Sequence, residues 1–449
     1  MNKSIKLLSA AVALAMLAPS AAYATNGYFM IGAGAKTRGM GGAGIAYGQD
    51  SLAAAANPAT AIDVGSRIDI GAELFRPIRA VKNNSALLPA DEQSRKNLFL
   101  IPSFGISWQK NENIVYNFVM MGAGLGTNYN QTCPGKGGYF YNFKCTSTVE
   151  AGVDMMQVHM LPGMAYKIND THSIGVNLDV AANRFRATGL QAFGKLGYTS
   201  DAKKLTNNGY DYNYGVGIRI GWQGKFNHDK LKLGAYYASE VFMTKLKKYK
   251  GLFAQGGKFD VPPHFGVGIS VKASKKINVA FDIQRIQYSK IPSIANPGPN
   301  ANDPINFFPP SLCPPGTDTT PCLTGGSKGM GFGWKDQTVY KFGFDYAASR
   351  KMTWRFGFNY AKMPIPDSQG LFNMLAPAVV ERHITFGATY DWDKATELSF
   401  NFMHAFKNTL RAYSPFYPPG ITNRADMQTG NVALSMEQTS IGFSYGYKF

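Results

Sequence analysis

The sequence predicts an all-β protein: a transmembrane antiparallel β-barrel of 14 strands with an N-terminal hatch plugging the lumen. Three observations lead there. Period-two alternation of apolar and small or polar residues recurs from residue 67 to the C-terminus, and short connections alternate with long ones. Beyond the N-terminal segment no run of eighteen or more apolar residues occurs, which excludes a spanning helix.

The alternation is cleanest at 211–223, where Tyr212, Tyr214, Val216, Ile218, Ile220 and Trp222 share one face and Asp211, Asn213, Gly215, Gly217, Arg219 and Gly221 the other. Segments 351–361 and 383–392 repeat it. Aromatic residues at both ends of an aliphatic stripe suit the two interfaces of a membrane, where Tyr and Trp form girdles. The fourteen segments run at about 67–78, 98–109, 113–124, 149–167, 172–186, 211–226, 230–243, 263–273, 275–288, 336–347, 351–361, 381–391, 395–406 and 436–449. Every second connection is short and polar, as at Lys110 to Glu112 or Asn169 to Thr171, and the others run from nineteen to nearly fifty residues. Outer-membrane barrels have short periplasmic turns and long extracellular loops. The last segment alternates Thr439, Ile441, Phe443, Tyr445, Tyr447 and a terminal Phe449, the ending that barrel assembly machinery recognises.

At the N-terminus, Lys3 and Lys6 precede an apolar stretch, Leu7 to Leu17, and Ala22-Tyr23-Ala24 supplies a cleavage site, so 1–24 reads as a signal peptide. Export to the bacterial outer membrane, as a multi-pass protein, follows. The formal net charge is +18. Without a nucleic-acid module, and on an exported chain, that excess points to outer-membrane lipids and lipopolysaccharide rather than to nucleic acid. Cys133 with Cys145 and Cys313 with Cys322 each fall within one long loop, and local disulfides are expected in an oxidising compartment.

Residues 25–66 are Gly- and Ala-rich, largely uncharged, and carry a short helical piece stopped by Asn57-Pro58. A solvated leader would be more polar. Many inward positions of the following segments (67–449) are glycine: Gly175, Gly215, Gly217, Gly221, Gly266, Gly268, Gly343, Gly357, Gly387 and Gly442. Strand glycines mark places where another backbone approaches closely, so residues 25–66 are expected inside the barrel.

The start Thr25-Asn26-Gly27-Tyr28-Phe29, the run Gly39-Met40-Gly41-Gly42-Ala43 and the motif Asn57, Pro58, Ala59 resemble the FadL/TodX family of outer-membrane transporters for long-chain fatty acids and other hydrophobic compounds. The resemblance implies extracellular capture, a pocket beside the mature N-terminus, hatch movement and lateral release at a kink in the third strand. Gly122, Gly124 and Gly126 are the candidates for that opening, since closely spaced glycines permit a kink or bulge. Candidate substrate contacts are Tyr28, Phe29, Met30 and Ile31 at the N-terminus and Phe140, Phe143 and Phe193 in loops. The inward cations Arg219, Lys341 and Arg355 could hold a carboxylate or neutralise Asp211 and Asp345.

No enzyme is expected, and no cofactor or metal. Gly39-Met40-Gly41-Gly42-Ala43-Gly44 lacks the strand a dinucleotide fingerprint requires. Gly442-Phe443-Ser444-Tyr445-Gly446 lies in a terminal strand with no room for triad partners. A barrel phospholipase using His404 or His264 lacks a matching serine motif. The chain therefore reads as a monomeric channel for a hydrophobic small-molecule substrate, and the alternative is a general porin or structural barrel.

Overall fold

A computed structural model of the protein describes residues 26–83, 90–130, 150–195, 197–298, 323–412 and 432–449. The expected signal peptide, all four cysteines, Phe140 and Phe143 lie outside them.

The described strands form one continuous antiparallel sheet. Its long strands are β1 (Arg67–Asn83), β2 (Phe99–Gln109), β3 (Ile114–Gly126), β4 (Glu150–Lys167), β5 (His172–Thr188), β6 (Asp211–Phe226), β7 (Leu231–Ala238), β8 (His264–Lys272), β9 (Ile277–Ile286), β10 (Gln337–Ala347), β11 (Met352–Ala361), β12 (Arg382–Asp391), β13 (Thr396–Ala412) and β14 (Val432–Lys448). Short pieces at 90–93, 129–130 and 242–243 extend the wall. Each long strand pairs with the next, and β1 closes on β14 from Arg67↔Lys448 to Asn83↔Val432. Closure removes the sheet edges that lipid could not satisfy.

The lipid face is apolar because alternation puts it there. Tyr212, Tyr214, Val216, Ile218 and Ile220 of β6 are all exposed outward, while Asn213 and Arg219 are buried inside. Short turns are set by their own side chains. Asn111 Oδ1 accepts from the nitrogens of Asn113 and Ile114, and Asn169 Oδ1 and Asp393 Oδ1 do the same in their turns.

Residues 26–66 fill the lumen. They form a short helix α1 (Gly34–Gly39) and two 3-10 turns, Ser51–Ala55 and Pro58–Asp63. Seven of the ten inward glycines face this hatch. A β-carbon on Gly357 would lie 2.0 Å from the Gly41 nitrogen, and one on Gly343 2.4 Å from the Met40 carbonyl oxygen. The other three serve the wall itself. Gly442 faces Asn401, while Gly215 and Gly217 face residues 239–243, where the chain after β7 bends inward before rejoining β6. That bend ends β7 at Ala238, short of the expected residue 243.

Charge fastens the hatch at the end with short turns. Lys36 pairs with Glu397 and Arg38 with Glu73, all four side chains buried. Arg67 bridges Glu397 and Asp69, and Asp69 Oδ2 accepts the Ser51 nitrogen at 2.9 Å. Lys225 and Lys232 both reach Asp63, at 2.5 and 2.8 Å. Burial pushes the Asp63 carboxyl up, but the two lysines more than offset it and hold it below its ordinary value.

Candidate functional site

A cavity lies between the front of the hatch and the wall. Tyr28, Phe29, Met30 and Ile31 line one side, and Met121, Gly122 and Ala123 of β3 another. Arg219, Lys341, Gln157, His159 and His264 complete it. The open room is about 80 Å³, well below the roughly 300–1,000 Å³ of ligand pockets. An occupant of any length must therefore displace part of its lining.

The front of the hatch makes no ion pair among the described residues. Asn26 and Phe29 exchange two backbone bonds of 3.1 Å, and the Tyr288 hydroxyl donates to the Asn26 carbonyl at 2.6 Å. Ring contacts add to these: Tyr28 packs on Phe259 and Tyr288, and Phe29 lies edge-on to His264 at 5.1 Å. Burial, with help from Tyr288 and Asp260, pushes the Tyr28 phenol well above its ordinary value, so this lining is neutral.

The wall beside the cavity is incompletely paired. β2 and β3 are bonded only from Phe104↔Met120 to Gln109↔Val115. Above that point Phe99 to Ser103 of β2 pair with β1, and Met121 to Gly126 of β3 pair with β4, but not with each other. Gly122 and Gly124 lie in this unpaired half, and Gly126 ends it. Pro102, which offers no N–H to a ladder, lies in the facing half of β2. Met120 has outward parity yet is 5% exposed, recessed among Phe104, Phe118, Val158 and Met160.

The three inward cations have different surroundings. Arg219 donates from Nε and Nη2 to Asp179 Oδ2, at 3.1 and 2.9 Å, and from Nη1 to the Ala55 carbonyl of the hatch at 2.8 Å. Asp179, not Asp211, is its counter-ion, because register brings β5 and β6 together at that level. The Asp211 carboxylate instead accepts the Lys248 nitrogen. Arg355 does not line the cavity; it is tied to Gln49 and Thr389 lower in the lumen. Lys341 makes no hydrogen bond or ion pair among the described residues, although it is buried and lines the cavity. Its charged neighbour across the ladder, Asp282, has Oδ2 committed to the nitrogens of Gly44 and Ile45, while Oδ1 makes no hydrogen bond among the described residues.

Phe193 lies elsewhere, in an apolar recess with Leu190, Leu252, Phe253, Phe332 and Phe372. His159, which no sequence motif singles out, lines the cavity together with His264. His159 Nδ1 lies 2.7 Å from Asp179 and Nε2 3.1 Å from Gln157, so the cavity wall is joined through Asp179 and Arg219 to Ala55. Inward parity was the only signal for it.

A family model described as outer membrane protein transport protein (OMPP1/FadL/TodX) matches residues 11–449. Among solved structures, the toluene transporter TodX of Pseudomonas putida superposes with a TM-score of 0.65 at 18% identity, covering 94% of this chain and 99% of that one. The Ralstonia pickettii toluene transporter TbuX gives 0.58 at 17%, covering 93% and 99%. A Pseudomonas aeruginosa FadL homologue gives 0.64 at 13%, covering 94% and 100%. No curated protein matches the sequence.

Proposed function

The chain belongs to the OMPP1/FadL/TodX family of outer-membrane transport proteins, and from that premise we propose that it admits hydrophobic molecules, holds them beside the hatch front and releases them sideways between β2 and β3. One observation carries this reading: the cavity lined by Tyr28 to Ile31 adjoins the unpaired half of β3 at Gly122. An axial route would have to dislodge a hatch seated backbone against backbone and fastened by buried ion pairs. A lateral one needs only the front, which no ion pair fastens among the described residues, to move. The filled lumen disfavours the porin reading for the same reason. Transport of this kind involves no chemical step.

The Lys341 ammonium, which has Asp282 as its charged neighbour but makes no hydrogen bond among the described residues, favours a substrate with an apolar body and a carboxylate, such as a long-chain fatty acid, over an aromatic hydrocarbon. Arg219 and Arg355 are occupied by the protein itself. Uptake of labelled fatty acid and of labelled toluene would be measured in cells producing the wild type and Lys341→Met. Loss of a charge-assisted bond of about 1.5–3 kcal/mol should lower fatty-acid uptake at least roughly tenfold and spare toluene. Equal uptake of fatty acid by both proteins would overturn the carboxylate assignment. Robust sugar flux in liposomes would overturn the hydrophobic channel.

A further inference from the structure

The outer wall carries a cluster of cations that transport does not use. On β5 the residues Ala181, Asn183, Phe185 and Ala187 are buried inward, so Arg184 and Arg186 face outward. Arg184 stands opposite Tyr212 of β6 in the ladder. Tyr212 and Tyr214 are both more than half exposed, which marks the aromatic girdle at the long-loop end. Trp222 lies ten residues further along β6, near the short-turn end. Ten residues of tilted strand rise by about 25 Å, the height of an outward apolar band. Arg184 therefore sits at the headgroup level of the outer leaflet, and Arg186 just above it.

Both guanidiniums stack on one ring, 4.5 and 4.9 Å from the centroid of Tyr210. The Tyr210 hydroxyl donates to Asp154 Oδ2 at 2.8 Å, and the same oxygen receives Lys96 at 2.6 Å. Lys248 adds a further ammonium, bonded to the Tyr210 carbonyl at 2.6 Å. Neither arginine makes a hydrogen bond or ion pair among the described residues, and Arg184 Nε is buried without an acceptor. Four cations thus face two carboxylates: Asp154, which stands opposite Arg186 in the ladder and whose Oδ2 already receives Lys96 and Tyr210, and Asp211, engaged by the Lys248 backbone. Two planar forks held side by side at a lipid boundary match a multiply charged oxyanion. Below them Leu178, Val216 and Ile218 offer an exposed apolar wall for acyl chains.

We propose that Arg184 and Arg186 bind a phosphate of a phosphorylated glycolipid in the outer leaflet, with its acyl chains lying on β5 and β6. The site is on the membrane side of the wall and is independent of the lumenal route.

The full-length protein, extracted from outer membranes and exchanged into detergent, would be given lipid A bearing two phosphates, the same lipid dephosphorylated, phosphatidylglycerol, or inorganic phosphate. Native mass spectrometry reads the bound fraction. The wild type should retain the phosphorylated glycolipid, and R184Q/R186Q should lose it by about tenfold or more; R184K/R186K, which keeps the charge but not the planar forks, should fall between the two, and a turn variant, K394Q, should keep most of it. Should R184Q/R186Q not assemble, the wild type decides alone by its preference between phosphorylated and dephosphorylated lipid. Equal retention of those two overturns the site. Equal binding of phosphatidylglycerol or inorganic phosphate overturns the glycolipid as its occupant.

Discussion

The side-chain amide of Asn57 donates to the main-chain carbonyl of Trp222 in the barrel wall at 2.9 Å, and to that of Ile45 in the hatch at 2.8 Å. Its Oδ1 accepts the Ala59 nitrogen at 3.0 Å, which caps the turn that Pro58 begins. The seat for this motif is a pair of glycines opposite each other on β5 and β6. A β-carbon on Gly221 would lie 1.9 Å from Asn57 Oδ1, and one on Gly175 2.4 Å from the Pro58 carbonyl carbon.

Asn57→Ala removes three bonds at a buried site and should loosen the seat by about 1–3 kcal/mol. Gly221→Val should act more strongly, since the clashing atom belongs to a side chain pinned from both ends. Single channels in planar bilayers should show raised conductance for both. Gly442→Val is the control: its clash is with Asn401 of the wall, so it should lower thermal stability without raising conductance. Wild-type conductance in both hatch variants would show that this seat does not hold the hatch.

The unpaired half of β3 gives a second expectation. Replacing Gly122, Gly124 and Gly126 with Val should favour regular pleat, but Pro102 still withholds one donor from β2. Full closure should therefore need Pro102→Thr as well. Uptake of labelled fatty acid should fall partly in the triple variant and further in the quadruple one, while ligand retained by the purified protein stays constant. Undiminished uptake in well-assembled quadruple variants would leave the axial route.

Much of the wall was legible because lipid enforces one rule along every strand. Outward residues of β6 and β11 had to be apolar, so parity and turns could be read directly. The rule ends at the headgroups, and there the expected ends fell short: β1 runs on to Asn83, β13 to Ala412, and β14 begins at Val432. The lumen was legible in kind but not in pairing. Inward glycines signalled a plug, yet Gly215 and Gly217 accommodate the bend after β7 instead. Arg219, Lys341 and Arg355 looked alike in sequence, and only register separates them: Asp179 comes from another strand, Gln49 from the hatch. Pro102 is a sign of an unpaired edge that stands in the sequence itself.

The cysteines, outside the described residues, test topology. Cys133–Cys145 and Cys313–Cys322 should form two disulfides on the cell surface, so a bulky maleimide should label whole cells only after reduction. Tags near Lys136 and Thr319 should be reachable from outside, and tags at Asp170 or Asp229, in short turns, should not. Surface labelling at the latter pair would invert the barrel in the membrane.

Hatch seating should also depend on pH through Asp50. Burial, then the neighbouring Asp69, pushes its carboxyl up to about 6, although Lys36 and Arg67 pull it down and Glu397 adds to the rise. A displaced hatch would return the group to its ordinary 3.8. Between those values the seated form binds more protons, so seating must weaken as pH rises through that window and level off above it. Below pH 3.8 both forms are protonated and this contribution is constant. Asp50→Asn keeps the side-chain oxygen that accepts the Leu52 nitrogen at 3.0 Å and removes the titrating charge. Hydrogen exchange of amides 34–60, corrected for intrinsic rates, should therefore be slower in the variant than in the wild type at pH 7. The two proteins should converge at pH 4, where the wild-type carboxyl is protonated too. Lys36 feels the Asp50 charge, so the difference between the two proteins reports Asp50 together with its effect on Lys36. Faster exchange in the variant at pH 7 would mean that the ionised carboxylate holds the hatch rather than strains it.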